Sequence, residues 1–169
     1  AGVPSIVYGF FGLTTLVPLI REMFGGRGRG QCILTASLLL GIMILPTIIQ
    51  LTSAAVKAVP NSYYEGSLAL GATDERSVFR ATVPAAKSGI LASVVLAIGR
   101  IVGETAALLF TAGTVADMPK HFLLSSGRTL AVHMYQLSLE GLHYDQAYAT
   151  GVVLLLLVLG LNSLSSLIS

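Results

Sequence analysis

Apolar residues fall into four long runs, and the segments between them carry nearly all of the charge. The runs lie near residues 3–20, 32–56, 86–110 and 147–168. Each approaches the ~20 residues needed to cross a hydrocarbon core of roughly 30 Å. Lipid offers no partner to an unpaired backbone N–H or C=O, so each run is predicted to be helical. Pro46 is expected to kink the second run, and Gly41 to permit close packing there. Gly99 and Gly103 form a small-xxx-small pair in the third, a general signal for helix contact. The pattern predicts an all-α fold, a polytopic membrane helix bundle.

Residues 61–84 break this pattern. Ser62 and Glu65 have capping-box spacing, which predicts one helix start, and Thr73 followed by Asp74 and Glu75 predicts a second, its early acids complementing the helix dipole. Gly71 stands between them as a helix stop. The segment therefore reads as helix, turn, helix, too polar to cross a bilayer and suited to presentation to a soluble partner. Residues 111–146 form the longest stretch outside the runs. Pro119 and Ser125-Ser126-Gly127 precede Leu130, Met134 and Leu137 at near-helical spacing, which predicts a short amphipathic helix at the outer surface or lining a vestibule. The alternative is a packed connection between spans.

Composition narrows the class. Hydrophobic residues make up 54% and charged residues 11% of the 169, against roughly 25% charged in ordinary soluble domains. With a mean hydropathy of +0.81, the chain reads as an integral membrane protein. A net charge of +2 without a basic, aromatic-rich cluster gives no basis for nucleic-acid binding. The single cysteine, Cys32, excludes an internal disulfide. His121, His133 and His143 share one long connection but lack tight spacing or a cysteine partner, so no metal site is expected. Gly25-Gly26-Arg27-Gly28-Arg29-Gly30 reads as a flexible loop with solvated charges, or as an anion cradle built from backbone N–H groups. The chain has no Walker motif and no Gly-x-Ser-x-Gly elbow, so no catalytic residue is assigned and no cofactor is expected to bind this chain. Ala1 leads straight into an apolar run without a basic n-region, so the sequence reads as an internal piece of a longer polypeptide.

One polar pair lies inside an apolar run. Arg100 and Glu104, followed by Thr105, are spaced to share a helix face. Charges at membrane depth are costly unless paired or hydrated, so the pair marks a substrate pathway or a self-neutralising ion pair that fixes helix packing. Both hold if Arg100 exchanges Glu104 for an anionic substrate. An arginine fork matches two phosphate oxygens, and a neighbouring carboxylate would weaken the site enough for release.

Two motifs carry a resemblance. Glu65-Gly66-Ser67, then Leu68, Ala69 and Leu70, then Gly71 and Ala72, with Phe79 and Pro84 beyond, resembles the EAA loop of ABC-importer permeases. The resemblance implies that Glu65, Gly66, Ser67, Leu68, Ala69, Gly71, Ala72 and Phe79 dock onto a cytoplasmic ATPase. Gly66 and Ser67 replace the two alanines of the name, and their small size preserves close helix approach. Gly99-Arg100-Ile101-Val102-Gly103-Glu104-Thr105-Ala106, followed by Leu108-Leu109-Phe110, resembles the signature of phosphate-importer permeases. Residues 2–9 and 126–135 resemble the A-type permease subunit rather than its C-type partner.

The resemblance covers nearly the whole chain without the family's first span or spans. It implies a phosphate permease in a prokaryotic inner membrane. The implied partners are a second permease subunit, two ATPase subunits using ATP and Mg2+, and an extracellular phosphate-binding protein. A permease for another oxyanion or small solute is the nearest alternative. An intramembrane enzyme or channel component centred on Arg100 and Glu104 is the alternative from another class. Four crossings place 57–85 on the same side as both termini. Lys57, Arg76, Arg80 and Lys87 flank that middle loop, against Arg21, Arg27, Arg29, Lys120 and Arg128 in the other two connections. The positive-inside count thus leans slightly against the cytoplasmic placement that the resemblance implies.

Overall fold

The computed structural model describes residues 3–24, 30–116, 122–141 and 143–168, and among the described residues the regular structure is entirely helical. Helix α1 spans Ser5–Met23 and contains a π-helical stretch, Gly12–Leu16. Helix α2 is Ile33–Lys57 and α3 is Asn61–Ala69. Helix α4, Asp74–Ala85, has its own π-helical stretch at Val78–Thr82 and is followed by α5, Lys87–Val102. Helices α6, Ala106–Thr111, α7, Leu130–Glu140, and α8, Tyr144–Ile168, complete the chain. Helices α1 and α2 and the Tyr144–Leu167 part of α8 are each long and apolar enough to cross a membrane, whereas α4 and α5 reach that length only together, across a 64° bend.

The third apolar run is therefore not one helix. Helix α5 stops at Val102, the Glu104 N–H turns back to the Ile101 carbonyl at 3.0 Å, and α6 begins afresh at Ala106. Gly103 in the break has no Cβ to favour helical continuation, and it lies outside the helix that contains Gly99.

The chain divides into two compact units, which change at Leu45/Pro46 in α2, at Gly99/Arg100 in α5 and at Leu159/Gly160 in α8. In the first unit the short α6 forms the centre. Ala107 packs with Leu39 and Met43, and Leu108 and Ala112 pack with Ala36 and Val132. Lipid tails are as apolar as leucine, so contacts like these are held by van der Waals fit, which small residues make possible. A Cβ on Gly9 would lie 2.9 Å from Phe110 Cδ2 and 3.1 Å from both the Ala106 oxygen and the Ala107 Cα, so α1 and α6 meet almost backbone to backbone. The Phe10 and Phe110 rings close the same contact at 5.4 Å. We expect Gly9→Val to destabilise this unit by about 1–3 kcal/mol, since backbone atoms cannot move aside. Thermal unfolding in detergent should show the loss, and an unchanged transition would remove Gly9 from the packing account.

Helix α2 starts against the connection from α6 to α7. The Ile33 N–H donates to the Ser125 carbonyl at 3.1 Å and the Leu34 N–H to that of Leu123 at 2.9 Å, which satisfies two of the N–H groups a helix start leaves open. The Ser126 hydroxyl and the Gly127 N–H both donate to the Ala112 carbonyl, at 3.0 and 3.1 Å. Helix α7, capped by Thr129, buries Ala131, Val132 and Leu137 and leaves Leu130 exposed. The expected short helix thus forms, with Leu137 buried, Met134 half-buried and Leu130 exposed, and it packs as a connection through Val132, which meets Leu108 and Ala112.

The second unit holds the end of α2, helices α3 and α4, most of α5 and the last turns of α8. Helices α2 and α5 touch where a Cβ on Gly89 would come 2.9 Å from Ala55 Cβ. The Ser165 hydroxyl donates to the Ala92 carbonyl at 3.1 Å, joining α8 to α5 by a buried polar bond.

Candidate functional site

In the second unit, α3 and α4 form a helical hairpin between α2 and α5 in the chain. Pro60, with φ −56°, is the N-cap, and α3 begins at Asn61 without a side-chain cap. Ser62 consequently lies within the first turn and the expected capping box with Glu65 does not form: Pro60 fixes φ in advance and starts the helix early. The end of α3 is closed twice by backbone. The Gly71 N–H donates to the Leu68 carbonyl at 2.9 Å and the Ala72 N–H to the Ser67 carbonyl at 3.2 Å, the Schellman pair of bonds around a left-handed residue. Gly71 supplies that conformation with φ +85°. The second predicted start does form, with the Arg76 N–H donating to Thr73 Oγ1 at 3.4 Å and Asp74 and Glu75 in the first turn.

A cross-brace fixes the hairpin angle. The Tyr64 hydroxyl donates to Asp74 Oδ1 at 3.2 Å. That hydrogen bond, with desolvation and the carboxylate charge behind it, raises the phenol pKa above its ordinary value of 10.0. A raised phenol pKa means that the brace is complete below the ordinary value and is lost as pH climbs through the raised one.

Glu65, Gly66, Ala69 and Gly71 are exposed on this hairpin, and Ser67, Leu68 and Ala72 are half-buried. No atom lies within 4 Å of a Cβ placed on Gly66, so the small residue there leaves room that the described residues do not fill. Two large apolar side chains stand clear of the unit, Leu70 at 91% and Phe79 at 70% exposure. Phe79 rides on the π-helical stretch, a local widening that often marks a functional position. Leu70 was legible only as a spacer residue. Its signal was an apolar side chain placed directly before the stop glycine.

The hairpin is tied into the spans at an elbow. The Ala86 N–H is shared between the Thr82 and Val83 carbonyls, both at 3.1 Å, and Pro84 offers no N–H, so the axis turns before α5. We expect Gly71→Val to weaken the hairpin by at least about 1–2 kcal/mol from backbone conformation alone, since the space around it is open. Gly71→Asn should recover part of the loss in thermal unfolding, and equal losses for both would point to a cause other than φ.

In the first unit, Arg100 lies in the last turn of α5 and Glu104 in the break between α5 and α6. Their expected common helix face is absent because α5 ends at Val102. Among the described residues no ion pair joins them; Glu104 Oε1 instead accepts the Ala107 N–H at 3.2 Å and caps α6. Thr105 is the N-cap residue by position, but its hydroxyl donates to the Gly103 carbonyl at 3.4 Å. Arg100 is exposed in the last turn of α5, where the helix dipole favours a cation. Among the described residues the guanidinium of Arg100 is thus not paired with Glu104.

Residues 25–29, Pro119, Lys120 and His121, which figured in the loop and histidine readings, lie outside the described residues. No group of three metal-binding side chains gathers among the described residues.

Residues 1–169 match the protein family described as binding-protein-dependent transport system inner membrane component. A relative named probable ABC transporter permease protein YqgH, from Bacillus subtilis (strain 168), is 35% identical over 159 residues, 92% of this chain and 51% of that protein. Another, named phosphate transport system permease protein PstC, from Mesorhizobium japonicum, is 37% identical over 131 residues, 67% of this chain and 40% of the relative. A PstC from Pasteurella multocida is 29% identical over 187 residues, 99% of this chain and 58% of the relative. The relatives named for phosphate transport are PstC proteins, which carry the letter of the C-type subunit, whereas residues 2–9 and 126–135 pointed to the A-type. The chain spans about half the length of the curated relatives it matches. No solved structure matches.

Proposed function

Because this chain belongs to the family of inner membrane components of binding-protein-dependent transport systems, we propose that it serves as a permease subunit of an ATP-driven importer and that its cargo is inorganic phosphate. The observation that carries the importer reading is the polar helical hairpin, capped and braced, which holds Leu70 and Phe79 out to solvent between apolar spans. An exposed apolar pair on a rigid polar support suits a socket on a soluble ATPase. The partners are then two ATPase subunits, which bind ATP and Mg2+, a second permease subunit and an extracellular phosphate-binding protein. This chain binds no cofactor and performs no hydrolysis. Closure of the ATPases pushes on the hairpin, and the bundles rock to alternate access.

Phosphate as cargo is supported by Arg100, which pairs with no carboxylate among the described residues, and by relatives named for phosphate transport. Other oxyanions form the second reading, favoured by YqgH and YqgI being named only as ABC permeases. The test is uptake into proteoliposomes holding the assembled transporter, with binding protein loaded by phosphate, sulfate or molybdate. Uptake of phosphate alone supports the reading. Uptake of sulfate or molybdate in its place would replace it.

A further inference from the structure

Helix α4 holds two buried hydroxyls that bond to nothing among the described residues, Ser77 Oγ and Thr82 Oγ1, and they stand at the two ends of its π-helical stretch. Ser77 is wholly buried. Hydroxyls on the other helices find a partner within their own helix: Thr14, Ser93, Thr111, Ser138 and Thr150 each donate to the carbonyl four residues back, at 2.7–2.9 Å. A buried hydroxyl without a partner is disfavoured, so the pair in α4 calls for a physical reason. For Thr82 the backbone supplies one. The carbonyl four residues back belongs to Val78, and the wide turn aims it at the Val83 N–H, so Thr82 Oγ1 goes without it.

Proline accounts for the stretch only in part. Pro84 follows it by two residues, as Pro18 follows the π-helical stretch of α1, and the ring of a helical proline crowds the carbonyl four residues back. Yet Pro46 lies inside α2 in an uninterrupted α-helix. Helical proline is therefore accommodated in either form by this chain. In α1 the Thr14 hydroxyl is bonded; among the described residues, α4 alone combines the π-helical form with unpaired buried hydroxyls.

The neighbouring contacts decide what a change of form would move. Helix α5 is held to α2 at Gly89 and to α8 through the Ser165 bond. On the other side of the stretch, the Tyr64 hydroxyl ties α3 to Asp74. Between these anchors the ladder is loose, with the Ala86 N–H shared between two carbonyls. Taking up the extra residue of the π turn would turn the hairpin on a fixed α5 by about 100° and shift it by about 1.5 Å, one residue of helical register.

We propose that Val78–Thr82 is a register switch. It passes between this π-helical form and a proline-kinked α-helical form in which the Thr82 hydroxyl donates to the Val78 carbonyl and Ser77 leaves its unpaired seat, and the change turns Phe79 relative to α5. The proposal rests on the reading that an ATPase pushes on the hairpin, because that push supplies the force that changes the form.

Nitroxide labels on Glu75→Cys and Ser88→Cys, both exposed positions on opposite sides of the stretch, report the turn as a distance once Cys32 is replaced by serine. The assembled transporter is measured without nucleotide and with a non-hydrolysable ATP analogue. The analogue is expected to add a second distance, several ångströms from the first. Pro84→Ala, which restores an N–H and removes the ring, should populate that second distance without nucleotide. Thr82→Val should abolish it, and Thr82→Ser, which keeps the hydroxyl, should restore it. In a transporter that retains its ATPase, three results overturn the proposal alone: one distance that the analogue does not move, a Pro84→Ala transporter that stays at the first distance, or a second distance that Thr82→Val leaves in place. An ATPase that fails to co-purify with the labelled transporter sinks the docking reading, and the proposal with it.

Discussion

Replacing Leu70 and Phe79 together by aspartate is expected to abolish uptake and to release the ATPase subunits from the membrane complex, with the permease still inserted and folded. Both side chains are mostly exposed, at 91% and 70%, so their loss removes little of the packing that holds the hairpin. The turn itself is built from backbone bonds at Gly71 and Ala72, and the brace runs from Tyr64 to Asp74. Apolar anchors of this kind commonly contribute about 2 kcal/mol each to an interface, roughly 30-fold in affinity per residue. Burying an unpaired carboxylate in a socket would add to that loss. Co-purification with the ATPase reads the effect directly. Retention of the ATPase at wild-type yield would show that the hairpin is not the docking element.

Arg100→Gln is expected to reduce phosphate uptake by about 10- to 100-fold, the range that follows from losing a charge-assisted hydrogen bond of roughly 1.5–3 kcal/mol. Arg100 is exposed and Glu104 is engaged with the α6 N–H, so among the described residues no ion pair is broken and no partner charge is stranded. Assembly with the ATPase should remain intact, which separates this defect from that of the hairpin variant. Arg100→Lys keeps the charge but not the fork, so it should fall between the two. Initial uptake at limiting phosphate is the measurement. Undiminished uptake in Arg100→Gln would remove the residue from the pathway.

Much of the hairpin could be read from residue types because local chemistry decides it. Thr73 with Asp74 and Glu75 signals a helix start, and Gly71 supplies the one conformation that a Schellman turn requires. The first start misled because Pro60, directly before residues 61–84, fixed the helix one residue before Ser62. The apolar runs announced α1, α2 and α8 for the same reason: lipid leaves the backbone no alternative to a helix. Where the outcome depended on tertiary packing, hydrophobic pattern was a weaker guide. The run from 86 to 110 reads as uninterrupted, yet α6 turns inward to meet Gly9 and Gly12 at separations that only a separate short helix achieves. That break also decides the chemistry of Arg100 and Glu104. Spacing alone pairs them, but with helix termination at Val102 the carboxylate becomes a cap. Likewise Leu130, Met134 and Leu137 carry the visible periodicity in α7, yet of these Leu137 is buried and Leu130 exposed, while Ala131 and Val132, small enough for the core, are buried outside that stripe.

The most direct test of the account is the accessibility of position 79. With Cys32, the single cysteine of the chain, replaced by serine, Phe79→Cys provides one reactive thiol on the second helix of the hairpin. A membrane-impermeant maleimide should label it in inside-out vesicles stripped of ATPase, should fail to do so in right-side-out vesicles, and should be blocked when the ATPase is added back. Labelling from the outer face, or labelling from inside that the ATPase leaves unchanged, would contradict the claim that this hairpin receives the force of ATP hydrolysis.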